Sequence, residues 1–309
     1  GPAGQYPRLT VDSATISGSD AGVTLDVTVS LASLNVLNSA DVFPSSQHHM
    51  FVDGDVTVFG GGAALGIGQS PAARDLDADS LLVDSGMLAM YDSLAQFDES
   101  ILLRNGGVIA GNGIIEMNST TGDLVLENNG VFWAQPSGVS LDDTLTVRRT
   151  DSSTSRLDWT HAGCRLSVWA DATLDVQMPY TGVLGGEIDV SANATFRSAD
   201  AVLAGPGSTI EFGFAGSSSS RLEAPALDSS GAFRVLGDTV VVSPLVALRG
   251  AGVVDDQANL LFESTLIRFD SFSLAGSGGD GGGVRMVSAP QTIDVIGGET
   301  LIDLGVGGV

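Results

Sequence analysis

The chain is written in short runs of strict apolar–polar alternation, and this feature most narrows the folds open to it. Examples are VTLDVTVSL (Val23–Leu31), DVTVF (Asp55–Phe59), TLTVRR (Thr144–Arg149), RLSVWA (Arg165–Ala170), EIDVSA (Glu187–Ala192), TIEFGF (Thr209–Phe214) and AFRVLG (Ala232–Gly237). A period of two puts every second side chain on one face of an extended strand. Gly, Asn, Asp or Ser closes most runs after a few residues, which marks turns between short strands. Helical spacing is scarce. Its best stretch, Ser80–Phe97, is interrupted by Gly86 and reads equally as two strands around Asp84-Ser85-Gly86. The expected class is all-β.

Regular spacing of the runs points to a repeat. ATLDV (Ala172–Val176) and ATFRS (Ala194–Ser198) begin 22 residues apart. An aliphatic-x-Gly-x-Gly phrase occurs at Ile109–Glu116, Leu203–Glu211 and Leu248–Asp255. Its first glycines, Gly111, Gly205 and Gly250, stand 94 and 45 residues apart. Both intervals are near multiples of ~23, a length suited to one coil of a β-solenoid. The expected architecture is a parallel β-helix with coils of about 22–24 residues, apolar residues stacked inside and Asp, Ser, Thr and Arg outside. Gly and runs such as Asn128-Asn129-Gly130 would form corners in the left-handed backbone region. Residues 1–50 are expected to form an N-terminal cap or small β region, and residues 51–309 the solenoid. Gly1-Pro2 reads as a cleavage scar, with the native start further upstream. Phe43–His49, Gly60–Asp75 and Gly276–Gly283 read as loops.

Composition excludes several functions. The 309 residues carry 13 Arg, no Lys and 37 acids, for a net charge of −24. That balance argues against nucleic acid or an anionic membrane as partner, since both call for a basic surface. No run of about 18 uncharged apolar residues is present, so no transmembrane helix is expected. The single cysteine, Cys164, precludes an internal disulfide and is expected as a small buried hydrophobe.

The Gly-x-Gly phrase is no phosphate loop. A Walker loop needs a Lys that this chain lacks, and a dinucleotide fingerprint needs a third Gly opening a helix. Glycan cleavage of the polygalacturonase type needs paired acids with Gly-His-Gly and Arg-x-Lys. Asp142-Asp143 and Asp255-Asp256 supply adjacent acids, but the other two motifs are missing, and Arg148-Arg149 and Arg268 follow no diagnostic spacing. His48, His49 and His161 have no nucleophile elbow to serve, and Ser217–Ser220 reads as a loop. Asp75, Asp77 and Asp79 are the metal candidates, in the spacing that opens a calcium loop. Ser80 and Gly86 then stand where an EF-hand needs Gly and Glu, so calcium would bind there in some other way. Trp133, Trp159 and Trp169 are expected as partly buried packing residues, with a sugar-stacking platform as the alternative.

One segment, GGVIAGNGIIEM…GDLVLENNGVFWAQPSG (Gly106–Gly138), resembles the autotransporter-associated β-strand repeat of bacterial passenger domains. Gly107, Gly111, Gly113, Asn129, Gly130, Pro136 and Gly138 carry the match. The resemblance implies a right-handed parallel β-helix exported to a bacterial surface, without specifying an activity. The expected function is therefore a non-enzymatic, secreted or cell-surface rod for adhesion or self-assembly. Its expected partners are other surface proteins, further copies of itself, or glycans. The alternatives are a glycan-active β-helix enzyme and a carbohydrate-binding module.

Overall fold

The computed structural model describes residues 12–19, 22–25, 28–44, 48–68, 74–136, 143–213, 219–254, 258–276, 283–286, 292–296 and 301–303. Residues 44, 74, 250 and all those beyond 268 are described through their backbone alone. No helix occurs among the described residues, and the ladder pairings between strands are parallel. The chain is a parallel β-solenoid, and its coils each contribute to three sheets in a fixed order.

The first sheet takes Gly22–Leu25, Asp41–Pro44, Ala64–Gly68, the start of Met87–Arg104, the start of Val108–Met117, Val131–Ala134, Arg165–Val168, Glu187–Val190, Thr209–Phe212 and Ala232–Val235. The second runs from Val29–Leu31 through Thr144–Arg149, Thr173–Val176 and Thr195–Ser198 to Asn259–Glu263. The third runs from Ser13–Ser17 and Ser33–Leu37 through Leu124–Leu126 to Ala226–Ser229 and Leu245–Val254.

Alternation sets the register. In the first sheet Leu65, Leu88, Ile109, Phe132, Leu166, Ile188, Ile210 and Phe233 are successive partners, and all are buried. Slipping one strand by a residue would turn its apolar set to solvent, so the buried face fixes the pairing. Each fully buried Leu, Ile or Phe contributes about 1.5–3 kcal/mol relative to exposure. The columns merge into one core that runs through the stack.

The coil length is 22 residues at Leu166↔Ile188 and at Thr173↔Thr195, the latter pairing the two phrases that suggested the period. It shrinks to 19 at Phe233↔Gly252 and stretches to 34 at Phe132↔Leu166. In the long coil, Ser153 Oγ donates to Ser119 O (2.6 Å) and Ser155 Oγ to Gly122 O (2.6 Å), so the extra turn is stapled to the coil before it.

Three expectations change. Strands before residue 50 pair in parallel with those after it (Leu34↔Val56, Val42↔Leu65), so residue 50 marks no change of architecture. Ala64–Gly68, expected within a loop, is a strand whose Leu65 and Ile67 are buried in the core. The Gly-x-Gly phrases sit at two kinds of corner. Gly111 and Gly113 lie where Val108–Met117 bends from the first sheet to the second. Gly205-Pro206-Gly207 and Gly250 lie where the chain passes from the third sheet back to the first. The 94-residue interval is therefore not a whole number of coils. Glycine is called for at both corners, at the return by Gly207, whose φ is 91°. Gly111 and Gly113 have φ of 119° and 133°, and a Cβ on either would strike a carbonyl oxygen of the previous coil, that of Met90 or Ser93. Asn128 and Asn129 take positive φ as expected.

Candidate functional site

The inward columns look alike from coil to coil, so chemistry has to come from the outer walls. Along the first sheet the residues between the core positions form an outward column. Gly66, Ala89, Ala110, Trp133, Ser167, Asp189, Glu211 and Arg234 are successive partners in it. The lower part is small and already covered. Ala89 and Ala110 point away from the core yet are 3% and 1% exposed. The upper part is charged and laddered across coils. Arg165 donates to Glu187 through Nε (2.9 Å) and Nη2 (2.5 Å), and Arg234 Nη1 lies 3.3 Å from Glu211. Between them, Ser167 Oγ donates to Asp189 (3.3 Å).

Trp133 stands where the two regimes meet. Its neighbours Phe132 and Ala134 face the core, so its indole lies on the outer wall. The strand of the next coil ends at Val168, and Trp169, whose backbone N–H donates to Ala134 O (2.8 Å), brings a second indole against the first. The ring centroids are 5.6 Å apart at an interplanar angle of 54°. Trp169 is 52% exposed, the most of any large apolar side chain among the described residues. The expectation of packing residues holds for Trp159, which is buried and stacked on Tyr180 at 3.6 Å. Trp169 packs against Trp133 but leaves half of its surface open. Asp189, next to this pair, has its carboxyl pushed above the usual range, first by burial and then by the Glu187 carboxylate.

The remaining candidates are scattered. Asp75, Asp77 and Asp79 share the strand Arg74–Asp84, but the register shifts after Arg74 and after Ala78, so the period-two spacing does not align them. Asp75 is buried and accepts the Leu94 N–H (3.3 Å). Burial pushes its carboxyl up to about 6, against smaller opposing effects of that hydrogen bond and of His49. Asp79 sits at a corner, where slight burial and then Glu99, Asp98, Asp55 and Asp53 raise its pKa. Among the described residues no group of three or more His, Cys, Asp or Glu is placed to hold a metal ion.

Asp142, Asp255, Asp256, Ser217 and the Gly-rich tract 277–282 lie outside the described residues. Arg148 pairs with Glu116 (2.7 Å) on the second sheet, and Arg149 Nη1 donates to Ser155 O (3.3 Å). His161 lies 4.0 Å from Asp158 at an exposed turn. Cys164 is buried, its thiol donates to Trp159 O (3.0 Å), and burial pushes its pKa up to about 11, which suits packing rather than nucleophilic attack. A shallow cleft of 280 Å³ on the second sheet is lined by Ser219, Asp238, Thr239, Val240, Asn259 and Leu261. Its carboxylate already accepts from Asn259 Nδ2 (2.8 Å). No helix among the described residues is long and apolar enough to cross a membrane.

Fold and side wall together define the class: a parallel β-solenoid with polar outer walls. No protein-family model matches the chain, and no curated protein or solved structure matches it either.

Proposed function

We propose that the chain is a non-enzymatic rod of the bacterial cell surface or extracellular space, acting in adhesion or self-assembly. The observation that carries this reading is the architecture. One continuous core is wrapped by parallel sheets whose outer walls are cross-braced by Arg–carboxylate pairs and Ser/Asn/Asp contacts. A parallel stack keeps an open strand edge at each end unless it is capped, and those two edges are complementary head to tail. The local resemblance to autotransporter passenger repeats supports the export reading. The acidic surface favours neutral or cationic partners.

One arrangement favours the enzymatic alternative. Glu187, Asp189 and Glu211 lie on adjacent strands between Arg165 and Arg234, and glycoside hydrolysis needs two carboxyl groups flanking one bond. Yet Glu187 and Glu211 are each held by an Arg across the ladder, and they stand on a flat sheet. A site that binds without cleaving fits this geometry better.

Sedimentation velocity across a wide concentration range tests the rod. The expected result is an elongated particle at low concentration, the same in calcium and in chelator, with larger species appearing as concentration rises. A compact particle of globular frictional ratio would overturn it.

A further inference from the structure

We propose that Trp133 and Trp169, together with Ser167 and Asp189, form a subsite for a neutral polyhydroxylated glycan on the side of the rod. The inference deepens the adhesion reading above, since it names the class of ligand such a rod would hold.

Three observations converge. First, the two indoles come from successive coils and meet at 5.6 Å, with Trp169 half exposed. An indole in water keeps an apolar face, and the C–H face of a sugar ring is its natural complement: apolar in the middle and hydroxylated at the rim. Second, the hydrogen-bonding groups stand beside that indole pair. Ser167 is the register partner of Trp133, and Asp189 is the partner of Ser167. Among the described residues Asp189 forms no ion pair and accepts one side-chain hydrogen bond, from Ser167 (3.3 Å). A carboxylate can accept several bonds, so sugar hydroxyl donors would meet open acceptor positions. Third, charge selects within the glycans. The net charge of −24, with the Asp189 carboxylate in the subsite and no Arg paired to it among the described residues, repels uronic or sulfated chains and leaves neutral ones.

The same wall is poorly made for a second copy of the chain. Below the indoles Ala89 and Ala110 are already covered, and above them the face is ionic. Exposed indole area of at most about 150–250 Å² per ring falls well short of the ~800 Å² per partner of a stable protein interface.

Affinity electrophoresis in native gels tests this. Gels are cast with soluble glucan, xylan or mannan, or with polygalacturonate as the anionic control. The unmodified chain is run beside Trp169→Ala, Asp189→Asn and the second-sheet control Arg221→Ala. The expected result is retardation in at least one neutral gel and none in polygalacturonate. Trp169→Ala should weaken it at least tenfold, Asp189→Asn several-fold, and Arg221→Ala should leave it unchanged. Circular dichroism melting of Trp169→Ala confirms that it folds. Asp189→Asn is a second, isosteric arm should it not. Migration unchanged in all neutral gels would overturn the proposal, as would retardation that both variants retain. Loss of concentration-dependent association in Trp169→Ala without any retardation of the unmodified chain would assign the face to a second copy instead. A negative gel leaves the sedimentation test of the rod untouched, so the two readings fail separately.

Discussion

On the outer face of the first sheet, the lower coils carry Gly66, Ala89 and Ala110, small and covered, whereas the upper coils carry Ser167, Asp189, Glu211 and Arg234, polar and laddered. The inner face of the same strands does not change in kind: Leu65, Leu88, Ile109, Phe132, Leu166, Ile188, Ile210 and Phe233 are all buried. In a stack where each coil touches its neighbours, the inside must repeat to keep the core continuous. The outside is free to diverge, and the divergence is where recognition can arise. Trp133 and Trp169 lie at the border between the two regimes.

Substitutions can break that contrast, and they rank by how deeply each reaches. Phe132→Ala opens a void in the shared core and should cost about 3–5 kcal/mol, read as a lower midpoint in urea. Ala110→Asp places an unpaired charge on the outer but covered face. It should cost about 3 kcal/mol, whereas Asp189→Ala three partners further along the same column should cost under about 1 kcal/mol. Similar losses at the two positions would erase the distinction between a covered and an open wall. Gly111→Ala, at φ 119° and against the Met90 carbonyl, should cost about 2–3 kcal/mol, compared by thermal melting with the open corner at Gly106.

Asp75→Asn should act in the opposite direction. The Asp75 carboxyl is raised from 3.8 to about 6, so the folded state holds its proton more tightly than the unfolded chain does. Stability contributed by the protonated form is present below about pH 4 and lost as pH rises to about 6. Asn keeps an acceptor for the Leu94 N–H and removes the charge. It should stabilise by about 2 kcal/mol at pH 7.5 and by nothing at pH 3.5, read from paired melts. The smallest effect belongs to Arg165→Ala, since its pair with Glu187 is solvent-facing and worth under about 1 kcal/mol.

The core was legible because it obeys one local rule. TLDVQM and EIDVSA bury the residues that alternation selects, and the 22-residue offset of ATLDV and ATFRS is a real register. Corners were legible in kind but not in place, since Gly-x-Gly serves both the bend at Gly111–Gly113 and the return at Gly205–Gly207. Ala64–Gly68 was hidden by its own glycines. Gly66 has no side chain because the Phe43 ring occupies the space a Cβ would need, a contact between coils that no local pattern announces. The Trp133–Trp169 pair was hidden for a related reason. The 34-residue coil between Phe132 and Leu166 breaks the period that would have aligned them. Asp75, Asp77 and Asp79 show the converse, an apparent motif that register shifts in the strand do not keep in line.

On the reading proposed above, the side wall holds a glycan without cleaving it. A time course of reducing-sugar release from the polysaccharide that most retards the chain tests this most directly. The expected trace is flat at the buffer baseline at every chain concentration. A release rate that rises in proportion to chain concentration, and that Asp189→Asn abolishes, would contradict it.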